Sequence, residues 1–153
     1  MSDKKKNPGY LLSVLFNKCP RCREGNLYTF SNPYKLSTIT KMNEKCPVCG
    51  QPSEIEVGFY YGTSYVSYFL AVLFCAASFI AWWLIIGFSF EDNRFFWWLG
   101  CNGVTLVLIQ PFLMRLSRTL WLSWFVRYDP DWKEHEIQKE TLERIVPEQM
   151  GNW

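Results

Sequence analysis

The chain has 153 residues, a formal net charge of +2, six cysteines and 18% aromatic residues, among them eight tryptophans. That length allows one small domain and a few membrane segments. The near balance of charge argues against bulk attraction to nucleic acid, while the aromatic excess suits a membrane interface, where Trp and Tyr settle at the headgroup level.

Residues 1–9 are polar and lysine-rich and read as disordered. Tyr10–Phe16 is apolar but short, and no small-residue cleavage site follows it, so a signal peptide is not expected. The preferred reading is a packing segment for a domain with little core; the alternative is an amphipathic turn on the membrane. Thiols in a protein that is not secreted meet a reducing cytosol and stay free of disulfides.

Two CxxC pairs follow, Cys19-Pro20-Arg21-Cys22 and Cys46-Pro47-Val48-Cys49-Gly50. Each spacing makes a knuckle that supplies half of a tetrahedral site, and two knuckles complete a four-thiolate centre at Cys19, Cys22, Cys46 and Cys49. Zinc is the expected metal. Iron of the rubredoxin kind is an alternative, since tetrahedral sulfur accepts both. Residues 27–30 and 36–40 are predicted as short strands, with Asn32-Pro33 turning between them. A head this small buries too little apolar surface to fold alone, so the metal is expected to supply much of its folding energy.

From Val57 to Phe90 no residue carries a charge. A helix of about 20 apolar residues crosses the hydrocarbon core, and residues 66–86 are predicted as the first span. Gly58-Phe59-Tyr60-Tyr61-Gly62 forms an aromatic approach to it, and Glu91-Asp92-Asn93-Arg94 a polar hairpin loop after it. Residues 95–114 are the second predicted span. Leu116, Leu120, Trp121, Trp124 and Phe125 recur at helical spacing, which predicts an interfacial helix over 115–128 or a continuation of the second span. Asp129-Pro130 ends that segment, and a charged helix over 130–145 and a tail are expected beyond it.

Lys and Arg set the orientation. Nine precede the first span and six follow Met114, whereas the loop holds only Arg94. The positive-inside rule places both termini in the cytoplasm. Neither predicted span contains Asp, Glu, Lys, Arg or His, which argues against an ion or proton path. The only histidine, His135, falls in the charged C-terminal segment, and no catalytic set is visible. The basic residues of the head are read as facing lipid headgroups in preference to nucleic acid.

Cys-Pro-Arg-Cys-Arg-Glu-Gly-Asn-Leu-Tyr (19–28), Lys-Met-Asn-Glu-Lys-Cys-Pro-Val-Cys-Gly (41–50) and Gly-Phe-Tyr-Tyr-Gly-Thr-Ser-Tyr-Val-Ser-Tyr (58–68), with Asn-Pro-Tyr at 32–34, resemble an uncharacterised bacterial family, domain-of-unknown-function family number 983. The resemblance covers about residues 10–128. It implies a small membrane protein with a zinc-ribbon-like head, and a gene setting in some members like that of cytochrome oxidase assembly factors implies a respiratory role.

The expected fold class is a small zinc ribbon of short β-strands on an all-α membrane hairpin, with two transmembrane helices, an interfacial helix and a charged C-terminal helix. Its parts are a cytoplasmic head at 1–57, a membrane hairpin at 58–128 and a cytoplasmic helix and tail at 129–153. The expected function is that of a non-enzymatic accessory protein of the inner membrane, a subunit or assembly partner of a larger complex. The alternatives are a membrane-anchored thiol or iron redox protein and a membrane-tethered nucleic-acid-binding ribbon. Expected partners are membrane lipid and another membrane protein.

Overall fold

The computed structural model describes residues 9–87 and 93–137. The expectations for residues 1–8, the hairpin loop at 88–92 and the chain after 137 lie outside the described residues. Among the described residues three α-helices form: α1 (Tyr10–Leu15), α2 (Thr63–Ile86) and α3 (Arg94–Phe125). Short 3-10 turns occur at Leu36–Thr38 and Phe59–Gly62.

Helices α2 and α3 pack as an antiparallel hairpin. Ser78 Oγ donates to Asn102 Oδ1 at 2.8 Å, and Asn102 Nδ2 donates to Cys75 Sγ at 3.4 Å. One turn nearer the loop, the Phe79 and Trp98 rings meet edge-on with centroids 5.2 Å apart. At the opposite end Trp121 Nε1 donates to the Phe59 carbonyl at 2.9 Å. Gly62 faces the Trp121 ring so closely that a Cβ there would overlap it.

Both helices are long and apolar enough to span a membrane. None of the most apolar stretch of α2 is buried in the protein, and only 17% of that of α3. The core helix of a water-soluble domain would be mostly covered, whereas Tyr65, Phe69, Leu84, Ile85, Trp97 and Val107 are exposed. At 1.5 Å per residue α2 is about 36 Å long and α3 about 48 Å, against a hydrocarbon core of ~30 Å. The surplus of α3 carries the head.

That surplus is not a separate interfacial helix, because α3 runs unbroken through Pro111 to Phe125. Its last third turns inward. Leu113, Arg115, Ser117, Thr119 and Leu122 are buried, and a shared core forms from Cys19, Cys22, Leu27, Tyr28 and Cys46 of the head with Phe59, Tyr60, Leu122 and Val126.

The expected strands do not form among the described residues. Pairing is limited to isolated bridges at Lys18–Asn26, Tyr28–Met42 and Lys45–Pro52. The physical reason lies in α3. Arg115 is buried and donates to the carbonyls of Phe30, Ser31, Asn32 and Ile39 at 2.9–3.1 Å, and Arg118 donates to that of Thr40 at 3.0 Å. Carbonyls that a ladder would use are thus taken by guanidinium groups. Residues 130–137 are also not helical. They form turns, opened by Asp129 accepting from the Asp131 N–H at 3.0 Å.

Candidate metal centre

The two knuckles repeat one backbone pattern. Arg23 N–H donates to the Cys19 carbonyl at 2.7 Å, and Gly50 N–H to the Cys46 carbonyl at 2.9 Å. Cys19 N–H then bonds the Gly25 carbonyl and Cys46 N–H the Gln51 carbonyl, both at 2.8 Å. The residue after each second cysteine takes a left-handed conformation, Arg23 at φ 57° and Gly50 at φ 73°. Glycine adopts this freely. For arginine it costs roughly 1–2 kcal/mol, which is offset in part by stacking, with the guanidinium 3.9 Å from the Tyr128 ring centroid.

The knuckles face each other and bring their sulfurs together. Cys19 Sγ lies 3.7 Å from Cys49 Sγ, Cys22 Sγ lies 3.8 Å from Cys46 Sγ, and all four sulfurs are within 4.8 Å of one another. A tetrahedral site with zinc–sulfur bonds of about 2.3 Å has sulfur–sulfur edges of about 3.8 Å. These distances fit that figure and are far beyond the ~2.05 Å of a disulfide. All six cysteines are free. The four thiols therefore form a donor set that could hold a metal ion.

Crowded thiols share protons unequally. Hydrogen bonding, chiefly from Cys19, draws the Cys46 thiol below its usual range and brings Cys22 down to about 6. Cys19 is pushed up, first through its hydrogen bonds with Cys22 and Cys46 and then by burial. A divalent cation relieves this competition, because it binds each sulfur as thiolate and releases the remaining protons.

Three of the ligand candidates are buried and Cys49 is half-buried. Gly25 closes the site. Its N–H points at Cys22 Sγ, 3.5 Å away, and a Cβ there would overlap Cys46 Sγ. Tyr28 and Tyr60 pack in the same buried core as Cys19, Cys22 and Cys46, together with Leu122 of α3. Tyr28 Oη donates to the Arg115 carbonyl at 3.1 Å, and its ring lies 4.7 Å from the Arg115 guanidinium carbon. Burial pushes the Tyr28 phenol up, so it stays a protonated donor.

On the solvent side Arg21, between the first two cysteines, bonds the C-terminal segment. Its Nη2 donates to the His135 carbonyl at 2.6 Å and lies 3.7 Å from Asp129 Oδ2. Asp129 N–H donates back to the Arg21 carbonyl at 3.1 Å. His135 Nδ1 is 3.1 Å from both Asp129 carboxylate oxygens, so the histidine serves as a pairing partner on an exposed turn. Partial desolvation acts to raise the Asp129 carboxyl, and it is outweighed by hydrogen bonds from His135 and the Asp131 N–H, with Arg21 adding charge, so the group sits below its ordinary value.

The structure thus gathers Cys19, Cys22, Cys46 and Cys49 and leaves Cys75 and Cys101 in the hairpin, away from them. The reading of the sequence missed Gly25, Arg115, Arg118 and Asn102. Asn102 had a usable signal, since it is a strongly polar side chain in an uncharged run. Arg115 and Arg118 were read only among the six Lys and Arg that follow Met114.

Comparison with known proteins gives no match, whether by family model, curated protein or solved structure.

Proposed function

We propose that this is a non-enzymatic accessory protein of the bacterial inner membrane, a member of the uncharacterised family number 983. It holds one structural zinc through Cys19, Cys22, Cys46 and Cys49 in a cytoplasmic ribbon-like head. It serves a larger membrane complex, respiratory by the resemblance, as a subunit or assembly partner. The observation that carries this reading is the union of head and hairpin. The metal-ligand candidates share a core with the ends of α2 and α3, while the outward apolar faces of both helices are uncovered. A metal head built rigidly onto bare lateral surface suits holding a partner in the membrane. Gly100 and Gly103 support the same reading, because nothing lies within 4 Å of where their Cβ atoms would stand, which leaves room for another helix to approach.

Replacing Gly100 and Gly103 together by Leu tests it. The wild type should leave mild detergent as part of a large assembly, and the double variant as a small species that keeps its zinc. A wild type that already migrates as a lone monomer ends the accessory reading. Both termini are assigned to the cytoplasm by the Lys and Arg distribution and by the reducing environment the thiols need. A cysteine placed at Asn93 in an otherwise cysteine-free hairpin should react with an impermeant reagent in spheroplasts, and labelling at Asn7 in its place would invert the assignment.

A redox reading has one observation in its favour, the half-buried Cys49 at the rim of an otherwise buried sulfur set. Visible absorption from iron, or a disulfide that titrates reversibly, would select it over structural zinc.

A further inference from the structure

A second, chemically different site lies between α1, the first knuckle and the C-terminal end of α3. It is a cavity of about 110 Å³ that none of the four clustered cysteines lines. Three cations reach it from separate parts of the chain: Lys18 before the first knuckle, Arg23 after it, and Arg127 beyond α3. Among the described residues no Asp or Glu lines it. Three like charges around one cavity repel one another, and an anion within it reverses the sign of that interaction.

The donors are held in place. The Arg23 guanidinium stacks on Tyr128 and lies 5.9 Å from the Tyr10 ring centroid. Lys18 Nζ bonds Asn26 Oδ1 at 2.6 Å and the Glu24 carbonyl at 3.4 Å, which leaves one of its three donors. Ser123 Oγ donates to the Leu120 carbonyl at 2.7 Å and accepts from the Tyr10 hydroxyl at 2.9 Å, so the donors that remain for the cavity are those of the cations. The volume is several times the ~10–15 Å³ that one water needs, enough for a tetrahedral oxyanion. Guanidinium groups match the oxygens of phosphate in particular.

The geometry points to a binding site for a phosphate group, supplied by the headgroup of an anionic phospholipid. Depth favours that source over free phosphate. Thr119 on the cavity wall is five residues past Met114, about 7 Å along the helix, and the headgroup layer on each face is about 5–8 Å thick. Beside the cavity α1 exposes Leu11, Leu12 and Leu15, with Phe16 following, an apolar edge that fits acyl chains.

The test uses the full chain, purified with its metal in a neutral detergent. Native mass spectrometry follows retention of phosphatidylglycerol added to the micelles, with inorganic phosphate as competitor. Saturable retention of one lipid is expected. Lys18→Gln and Arg127→Gln should each weaken it about fivefold, Arg127→Lys should restore most of it, and unchanged metal content shows that each variant is folded. Displacement by millimolar inorganic phosphate would overturn the lipid source and assign free phosphate to the site. Non-saturating uptake that is indifferent to both Gln variants, with no phosphate bound, overturns the site altogether and leaves the metal and membrane readings untouched.

Discussion

Gly25→Ala adds one carbon atom to the chain and directs it at the metal centre. The glycine does not sit at positive φ, so alanine meets no backbone penalty there and the whole effect is steric. The new Cβ would overlap Cys46 Sγ and come within 3.3 Å of Val48 Cγ2. Cys46 is buried and cannot swing away. Relief must come from moving its sulfur by tenths of an ångström, in a site where ligand distances tolerate about 0.2 Å. Overpacking of this kind costs roughly 1–3 kcal/mol. Because it falls on a ligand, it should appear as a 5- to 150-fold loss of zinc affinity. Competition against a chromogenic chelator measures that loss. Gly103→Ala is the control, since nothing stands within 4 Å of its Cβ position. If Gly25→Ala holds zinc as tightly as the wild type, the four sulfurs do not close on a metal as the structure arranges them.

Further expectations concern single side chains. Cys→Ser at position 19, 22, 46 or 49 should lower zinc content and cellular abundance more than Cys75→Ser or Cys101→Ser, as quantitative blotting and elemental analysis would show; equal behaviour of all six contradicts the ligand assignment. Arg115→Met leaves four carbonyls without their donor and should loosen the head from α3 by about 2–4 kcal/mol, less than four full charged hydrogen bonds because Phe30, Ser31 and Asn32 are exposed to water; hydrogen exchange over residues 27–43 reads it, and unchanged protection there refutes it. Asn102→Leu should weaken the hairpin by about 0.6–1.7 kcal/mol, measured by unfolding in mixed micelles, and an unaltered midpoint would deny the Ser78–Asn102–Cys75 contact any weight. The Asp129 carboxyl is held below its ordinary value, so its ionised form favours the docked C-terminal segment at pH above about 4. That contribution is lost as pH falls through the lowered value. Proteolysis near Asp129 should therefore rise on acidification, and Asp129→Asn should be as susceptible at neutral pH as the wild type is in acid.

What could be read from the sequence was what is encoded within a few residues. CxxC spacing is local, and it named the four cysteines that the structure gathers. Apolar runs of some 20 residues are also local, and they marked both long helices. The errors came from partners far apart in the chain. The segments at 27–30 and 36–40 have strand-like composition, yet Phe30 O, Ile39 O and Thr40 O bond to Arg115 and Arg118, which lie 76–85 residues away. Arg115 could be read only as the charge that ends the uncharged run at Met114. It is in fact a buried side chain on a helix that continues, its charge met by carbonyls and by the Tyr28 ring. Arg23 shows the limit from another side. Only the second knuckle carries a glycine after its last cysteine, yet both need a left-handed residue there, and at the first Arg23 supplies it while stacked on Tyr128.

These contacts tie the candidate metal centre to the helical hairpin more closely than a tethered head would require. The buried core contains cysteines from both knuckles, the Phe59–Tyr60 turn that opens α2, and Leu122 and Val126 at the end of α3. Tyr60 hydrogen-bonds the Ser53 carbonyl just after the second knuckle, and Trp121 bonds the Phe59 carbonyl. A metal bound at the cysteines would therefore fix the head-side ends of both long helices and the spacing between them. Removing it would release the knuckles first, then the Tyr60 and Trp121 bonds that depend on their position. Metal loss should then reach the hairpin as a loosened membrane boundary. A rigid connection of this kind suits a protein that presents one fixed lateral surface to a partner.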